Sequence, residues 1–409
     1  MTTTNWTNEL LEAYRFQTDP LADQTIQTIM ESGQVQTANH FLRELIENED
    51  FPVDAPQVLK DYIQKTQKLP TWANPELIKE AEKLFALYGG ELSMMLLCKS
   101  LPASYTCWRG AKVLAMTGRL AEHRGSIKQF TRRLMETSQF VINVMAGGGF
   151  LENGKAIRTA QKVRLMHASI RYFLKNTPQQ AWDTATYGEP INQEDMAGTL
   201  MSFCAYPIEG VEQLGIQLST FQKDAFVHAW NVIGYIMGVD EKLMPKNYIE
   251  ASALGHQILE HQKGESEDGK VLTKACLDFL KHITVGNVFD VFPDVLVRYL
   301  LGNELADIVG VPKYALQNVL QGMVLRVFDK YEDAKDDSAV IRKLSERFKI
   351  KLLQGMVNYF NEEKQVQFQI PPSLQANWTQ EPLQITWKDV ASSPNLAGFR
   401  VSIQRKKKG

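Results

Sequence analysis

Helical periodicity is the feature that most constrains the fold of this 409-residue chain. Over residues 7–363, apolar residues recur at the three- and four-residue spacing of amphipathic helices, and the pattern breaks at glycine and proline. Each such helix has to bury its apolar stripe against a neighbour. The pattern therefore predicts an all-α, multi-helix bundle whose core is large enough to enclose a ligand.

Three segments are predicted from changes in this pattern. Residues 1–100 are expected to form N-terminal peripheral helices, and residues 101–363 the helical core. Residues 364–409 change to an alternation of polar and apolar residues, which is the period of a β-strand. We expect this tail to be a short β extension of the helical body.

Local signals predict further details of the helices. The pair Gly89-Gly90 indicates a bend within a long helix. Asn192 is suited to cap a helix whose first turn carries Glu194 and Asp195, because carboxylates favour the positive end of the helix dipole.

Charge and hydropathy limit the expected partners. The formal net charge is −2, so there is no overall basic field and we expect no nucleic-acid partner. Residues 225–239 are strongly apolar but shorter than the roughly 20 residues that span a bilayer, so we expect a buried helix and no integral membrane segment. The N-terminus lacks the pattern of a signal peptide, which predicts a cytoplasmic location. The oligomeric state does not follow from the sequence.

One histidine is flanked by two arginines in the segment Arg164-Leu-Met-His167-Ala-Ser-Ile-Arg171. On a helix these three side chains lie on one face. An imidazole can ligate haem iron, and guanidinium groups can pair with the two haem propionates through charge-assisted hydrogen bonds. Because no Cys-x-x-Cys-His motif is present, such a haem would be held non-covalently. A histidine on a helix is more often an ordinary core or surface residue, so that alternative stays open on these residues alone.

A second polar group precedes this segment. Arg133 and Thr137 share one face of a predicted helix, with Glu136 one step round it, and all three would approach a bound ligand if that helix packs against the one bearing His167. A solvated face with local ion pairs is the alternative.

Other site motifs are absent from the sequence. No histidine has a glutamate three residues before it, as a di-iron bundle requires, and there is no His-Glu-x-x-His zinc motif, phosphate-binding loop or Gly-x-Ser-x-Gly. His256 and His261 are expected to be exposed rather than metal ligands. Aromatic and methionine residues around the candidate helices could line an apolar cavity or serve as ordinary core. They are Phe130, Met135, Phe140, Met145, Phe150, Met166, Phe173, Met201, Phe203, Trp230 and Tyr235.

The order of motifs resembles that of the latex clearing protein and mpaB-type oxygenase family. The likeness covers residues 119–245 and comprises Arg133-x-x-x-Thr137, Lys162-Val-Arg164-Leu-Met-His167-Ala-x-Ile-Arg171, Trp182-Asp183, Gly188-x-Pro190-Ile-Asn192-Gln-Glu194-Asp195, Thr199-Leu200, Phe203 and His228-x-Trp230-x-x-x-Gly234-Tyr235 with Gly238.

This resemblance implies a globin-like, all-helical fold that binds haem b (iron protoporphyrin IX), with O2 as co-substrate. It implies that His167 is the proximal iron ligand and that Arg164 and Arg171 support the haem and its propionates. Arg133 and Thr137 would belong to the distal side.

Two departures from the family pattern affect the expected reaction. Rubber-cleaving members have a lysine where this chain has Glu136, and a carboxylate is a poor sixth iron ligand, so Glu136 is expected to act as an acid or base. The absence of a secretion pattern favours a smaller lipidic or isoprenoid substrate over extracellular rubber. The expected reaction is oxidative cleavage of a carbon–carbon double bond, in which Arg133 and Thr137 orient oxygen or substrate. The alternatives are a peroxidase, hydroxylase or isomerase, a non-catalytic haem carrier or gas sensor, and a cofactor-free interaction protein.

Overall fold

The computed structural model of the protein describes residues 6–31, 56–117, 127–145, 147–151, 154–176, 182–283 and 291–314. Every extended element in that part of the chain is a helix, and β structure is limited to one isolated bridge between Cys107 and Lys263. The predicted all-α fold is therefore confirmed. The predicted β extension over residues 364–409 lies outside the described residues.

The helices are α1 (Asn8–Tyr14), α2 (Pro20–Glu31), α3 (Gln57–Thr66), α4 (Pro75–Met95), a π-helical turn (Leu96–Ser100), α5 (Leu101–Tyr105), α6 (Trp108–Met116), α7 (Ile127–Met145), α8 (Lys155–Asn176), α9 (Thr184–Tyr187), α10 (Gln193–Gln213), α11 (Thr220–Ile236), a 3₁₀ turn (Glu241–Leu243), α12 (Tyr248–Gln262), α13 (Glu267–Ile283), α14 (Phe292–Leu301) and α15 (Asn303–Ile308).

Helix α11 lies at the centre of the helical body. It packs against α4 and α10, and Phe226, Trp230 and Ile233 are among its buried residues. A helix that is apolar on most sides is stable only when neighbours cover it. The predicted buried helix is confirmed as far as Ile236, where the helix ends; residues 237–238 follow it as a turn.

Helix α4 contains the two glycines at which the sequence predicts a bend. It runs unbroken through Gly89 and Gly90, so the glycines do not interrupt the helix, and the bend stays a prediction. Both glycines are buried, and the packing of α4 against α10 and α11 outweighs the helix penalty of about 1 kcal/mol per glycine. This helix belongs to the segment predicted to be peripheral, yet it contributes to the core.

The continuous helical stretch Pro75–Tyr105 is the one part of the described chain that is long and apolar enough to cross a membrane. The sequence analysis did not single it out. Because 67% of its most apolar window is buried inside the protein, it has the pattern of a core helix. The absence of a membrane segment and the cytoplasmic location stay predictions.

Helix α8 connects two parts of the molecule. It packs against α2 through one side, and against α7 and α11 through others. Leu165 and Ala168 of α8 join a small apolar cluster with α2 and α3, whereas Met166 and Ile170 belong to a different cluster. A ligand site on this helix is therefore held in place from several directions.

Candidate functional site

A cavity of about 280 Å³ is bounded mainly by helices α5–α8 and α10–α12. This volume is close to the lower end, about 300 Å³, of typical small-molecule sites. Each helix contributes residues at helical spacing. On α7 they are Phe130, Arg133, Leu134, Thr137 and Phe140. The wall is mostly apolar with a few polar groups, as in sites that bind apolar ligands.

The structure brings His167 to the same cavity as Arg133 and Thr137. His167 lies on α8 beside Met166 and Ile170, which also line the cavity. The convergence arises because α7 and α8 pack against each other. Both are regular α-helices at these positions, so the candidate residues are presented from helical backbone.

Arg133 contributes a buried positive charge at the cavity wall. Its Nη1 atom is shielded from solvent and has no hydrogen-bond partner among the described residues. Burial lowers the pKa of Arg133, although Tyr105 and Glu136 act in the opposite direction. Arginine stays protonated nonetheless, so this N–H group is available to an oxygen atom of a ligand.

Glu136 does not line the cavity in the way that Arg133 and Thr137 do. It is partly buried, and its charge acts on the Arg133 guanidinium. The structure therefore relates Glu136 to the site through Arg133 rather than by direct exposure to a ligand, and its role as a base stays a prediction.

Arg164 is paired with Asp19, the residue that immediately precedes α2. Its Nε and Nη2 atoms donate to Asp19 at 2.5 and 2.8 Å, and Nη1 donates to the Ile236 carbonyl at 3.0 Å. Burial would lower the pKa of Arg164, but Asp19 raises it above its usual value. All three nitrogen atoms of the Arg164 guanidinium group donate hydrogen bonds within the protein. Arg164 therefore connects α8 to the start of α2 and to the end of α11.

Arg171, about two helical turns after Arg164, makes a similar connection. Its Nε atom donates to Asp23 of α2 at 2.6 Å, and Nη1 donates to the Ile191 carbonyl at 3.1 Å. Its Nη2 atom is buried and has no partner in the described part of the chain. Haem binding by Arg164 and Arg171 stays a prediction, but the structure gives both guanidinium groups aspartate partners that the sequence analysis did not foresee.

Helix geometry explains why these arginines are separate from the cavity. Met166 and Ile170 mark the cavity side of α8. At about 100° per residue, His167 lies at one edge of that side, and Arg164 and Arg171 lie roughly 40–60° farther round. Neither arginine lines the cavity. The three side chains do lie on one side of α8, as predicted, but of the three His167 alone lines the cavity.

Gly238 makes room for the Arg164–Asp19 pair. A Cβ atom at this position would lie 2.5 Å from Asp19 Oδ2 and 2.7 Å from Arg164 Nε, and its φ is +85°. Both the space and the left-handed backbone conformation favour glycine.

A second buried charge cluster adjoins the cavity, and the sequence analysis missed it. Arg15 of α1's C-terminal end is fully buried, and its Nη1 atom donates to Glu194 and Asp195, each at 3.0 Å. Asp195 also lines the cavity. Glu194 and Asp195 were interpreted as favourable charges for the dipole of α10, but their main partner is Arg15. No local signal pointed to Arg15, because its partners are 179 and 180 residues away.

His261 belongs to this cluster, so its predicted exposure is wrong. Its side chain is 10% exposed, and its ring nitrogens contact Glu194 at 2.6 Å and Glu12 at 3.3 Å. By contrast, His256 is 54% exposed, as predicted, and contacts Glu209 at 3.0 Å. The two histidines differ because α12 turns only His261 toward the charges at the start of α10.

Five of the predicted aromatic and methionine residues line the cavity: Phe130, Phe140, Met166, Phe203 and Trp230. Trp230 stacks on Phe203 with ring centroids 4.9 Å apart. Met145, Phe150, Phe173, Met201 and Tyr235 are core residues away from the cavity wall, and the side chain of Met135 lies outside the described residues. The alternative of ordinary core therefore holds for about half of the set.

The residues at this cavity fit a haem group with one protein ligand. His167 supplies an imidazole at an apolar wall, and Arg133 supplies a buried N–H group that lacks a partner among the residues described. Within the same ranges, no group of three or more His, Cys, Asp or Glu side chains could hold a metal ion.

The chain resembles known oxygenases in sequence and in fold. The family model described as ER-bound oxygenase mpaB/B'/Rubber oxygenase, catalytic domain, matches residues 87–328. The rubber oxygenase of Streptomyces sp. (strain K30) is 24% identical over 317 residues, which cover 75% of this chain and 73% of that protein. The structure of latex clearing protein LCP in the closed state matches with a TM-score of 0.69 at 20% identity, covering 86% of this chain and 96% of that chain. The resemblance inferred from the motifs is confirmed.

Proposed function

Because the chain belongs to the mpaB/B'/Rubber oxygenase catalytic-domain family, we propose that it is a haem b-dependent oxygenase acting on a hydrophobic substrate. The observation that carries the proposal is the presence of His167, Arg133 and Thr137 at one largely apolar cavity. The proposed reaction is the addition of O2 to a carbon–carbon double bond of a lipidic or isoprenoid molecule, with cleavage to two carbonyl products.

His167 would hold the cofactor through a ring nitrogen, and when bound the haem would supply the activation of O2. The Arg133 Nη1–H group can donate a hydrogen bond to an oxygen atom in the cavity, and the Thr137 hydroxyl can orient a second one. Phe140, Phe203 and the other apolar residues of the wall would exclude water from the substrate.

Arg164 and Arg171 would act mainly by positioning His167. Their hydrogen bonds to Asp19 and Asp23 hold α8 against α2, and this would keep the His167 imidazole in a fixed position. The Nη2 atom of Arg171 is buried and lacks a partner among the described residues, but Arg171 does not line the cavity, so its proposed role is positioning.

Absorption spectra of the purified protein test the cofactor. We expect wild type to show a Soret band that shifts on reduction and again with carbon monoxide, and we expect His167→Ala to bind haem poorly. His256→Ala is the matched control, because this half-exposed histidine does not line the cavity. A colourless wild type that takes up no added haemin would refute the proposal, as would a His167→Ala spectrum identical to wild type.

The substrate class is tested by oxygen consumption. Haem-loaded protein should consume O2 in the presence of a hydrophobic alkene, and mass spectrometry should find two carbonyl fragments whose carbon atoms sum to those of the alkene. Oxygen uptake with a single hydroxylated product would instead indicate a hydroxylase.

A further inference from the structure

Gln262 lies at the end of the cavity-lining side of α12. Gly255, Ile258, Leu259 and Gln262 have the spacing of one helix face, and all of them line the cavity. Gln262 is 1% exposed, and its Nε2 atom donates to Asp195 Oδ1 at 3.2 Å. Its Oε1 atom is buried and has no hydrogen-bond partner among the described residues.

The chemistry of Asp195 determines which atom of the Gln262 side-chain amide lacks a hydrogen-bond partner. Asp195 Oδ1 also accepts from Arg15 Nη1 at 3.0 Å, and Oδ2 accepts from Asn192 Nδ2 at 3.0 Å. A carboxylate with these donors accepts hydrogen bonds only, so the Gln262 nitrogen has to face it. The remaining group of Gln262 is therefore an acceptor.

A buried acceptor is stable when a donor reaches it. Ionised haem propionates and O2 have no hydrogen to donate, so neither can satisfy Gln262. The cavity wall is mostly apolar, so burying an ammonium group there would cost more than burying a neutral hydroxyl, and this favours a neutral donor. A hydroxyl group of the substrate meets both conditions.

We propose that Gln262 Oε1 binds a hydroxyl group of an otherwise apolar substrate, which makes a lipid or isoprenoid alcohol the ligand rather than a pure hydrocarbon. The inference rests on the proposed function in taking this cavity as the substrate site. Phe203, which stacks on Trp230 of α11, lies farther along α10, eight residues or about 12 Å from Asp195 at 1.5 Å per residue. The hydroxyl and the apolar body of the substrate would occupy these two ends.

Calorimetric titration with farnesol and its methyl ether tests this assignment, because the two probes share a carbon skeleton and differ in the hydroxyl donor. We expect wild type to bind farnesol roughly tenfold more tightly than the ether. Gln262→Met should bring the ratio close to one by weakening farnesol binding alone. Gln139→Met is the matched control, because Gln139 is also a buried glutamine whose Oε1 atom lacks a hydrogen-bond partner among the described residues, but it does not line the cavity, so the preference should be kept.

Equal binding of the two probes by wild type would overturn the proposal, because it would mean that a water molecule satisfies Gln262. A preference that survives in Gln262→Met, or the absence of farnesol binding, would overturn it as well. The wild-type ratio decides the matter even if the variant does not fold. Calorimetry requires no iron chemistry, so a protein that selects farnesol but binds no haem would refute the proposed function and leave this inference standing.

Discussion

The Arg164–Asp19 pair gives the sharpest prediction about stability. Asp19 is 3% exposed and the Arg164 side chain 11%, so solvent screens this pair very little. In Asp19→Asn, the amide oxygen can accept one hydrogen bond, but the amide N–H₂ group would face guanidinium N–H groups. The substitution leaves a buried positive charge without its counter-ion.

The expected cost follows from the burial of the pair. Breaking a buried ion pair costs about 3–5 kcal/mol, and the remaining bond to the Ile236 carbonyl at 3.0 Å puts this case near 3 kcal/mol. With an unfolding entropy of about 2.1 cal/mol/K per residue over 409 residues, this corresponds to roughly 3–4 °C in the midpoint of thermal unfolding.

Urea unfolding of wild type, Asp19→Asn, Arg164→Met and the double variant tests this reasoning as a double-mutant cycle. The double variant should be more stable than Asp19→Asn, because it lacks the uncompensated charge. Glu80→Gln is the control, since its partner Lys83 is 61% exposed and the pair should contribute less than about 0.5 kcal/mol. The reasoning is refuted if Asp19→Asn costs no more than Glu80→Gln, or if the double variant is no more stable than the single one.

Three further predictions concern pH, the cavity and the proposed base. The hydrogen bond to Glu209 raises the pKa of His256 above its usual 6.5. The stabilisation of the folded protein by this pair is therefore complete below about pH 6.5 and is lost as the pH rises through the raised pKa. The urea midpoints of wild type and His256→Asn should differ more at about pH 5.5 than at about pH 8.5. In Gly234→Ala the new Cβ would lie 2.6 Å from Leu200 Cδ2, so we expect a loss of about 1–3 kcal/mol in urea unfolding and weaker farnesol binding as Leu200 shifts within the cavity wall. Glu136→Gln should slow substrate-dependent oxygen consumption without loss of the Soret band, and equal rates would exclude Glu136 as the base.

Local features of the fold were predictable from the sequence. The cap of α10 by Asn192 was predicted, because it depends on residues within one turn of the helix start. The pair Gly89-Gly90 does not interrupt α4, because burial of this helix in the core overrides the local preference of glycine.

The sequence by itself determined that the chain is helical, and the spacing of its motifs identified the family and pointed to His167, Arg133 and Thr137. It could not determine what the arginines contact. Asp19 and Asp23 lie 145 and 148 residues from Arg164 and Arg171.

Tertiary packing decided those pairs, and it also decided that Asp195 and Gln262 face the cavity while Glu136 does not line it. The physical reason is that helical periodicity fixes which residues share a face, whereas the identity of the opposing surface depends on how distant helices pack. A charged residue on a helix face therefore has a predictable direction but no predictable partner.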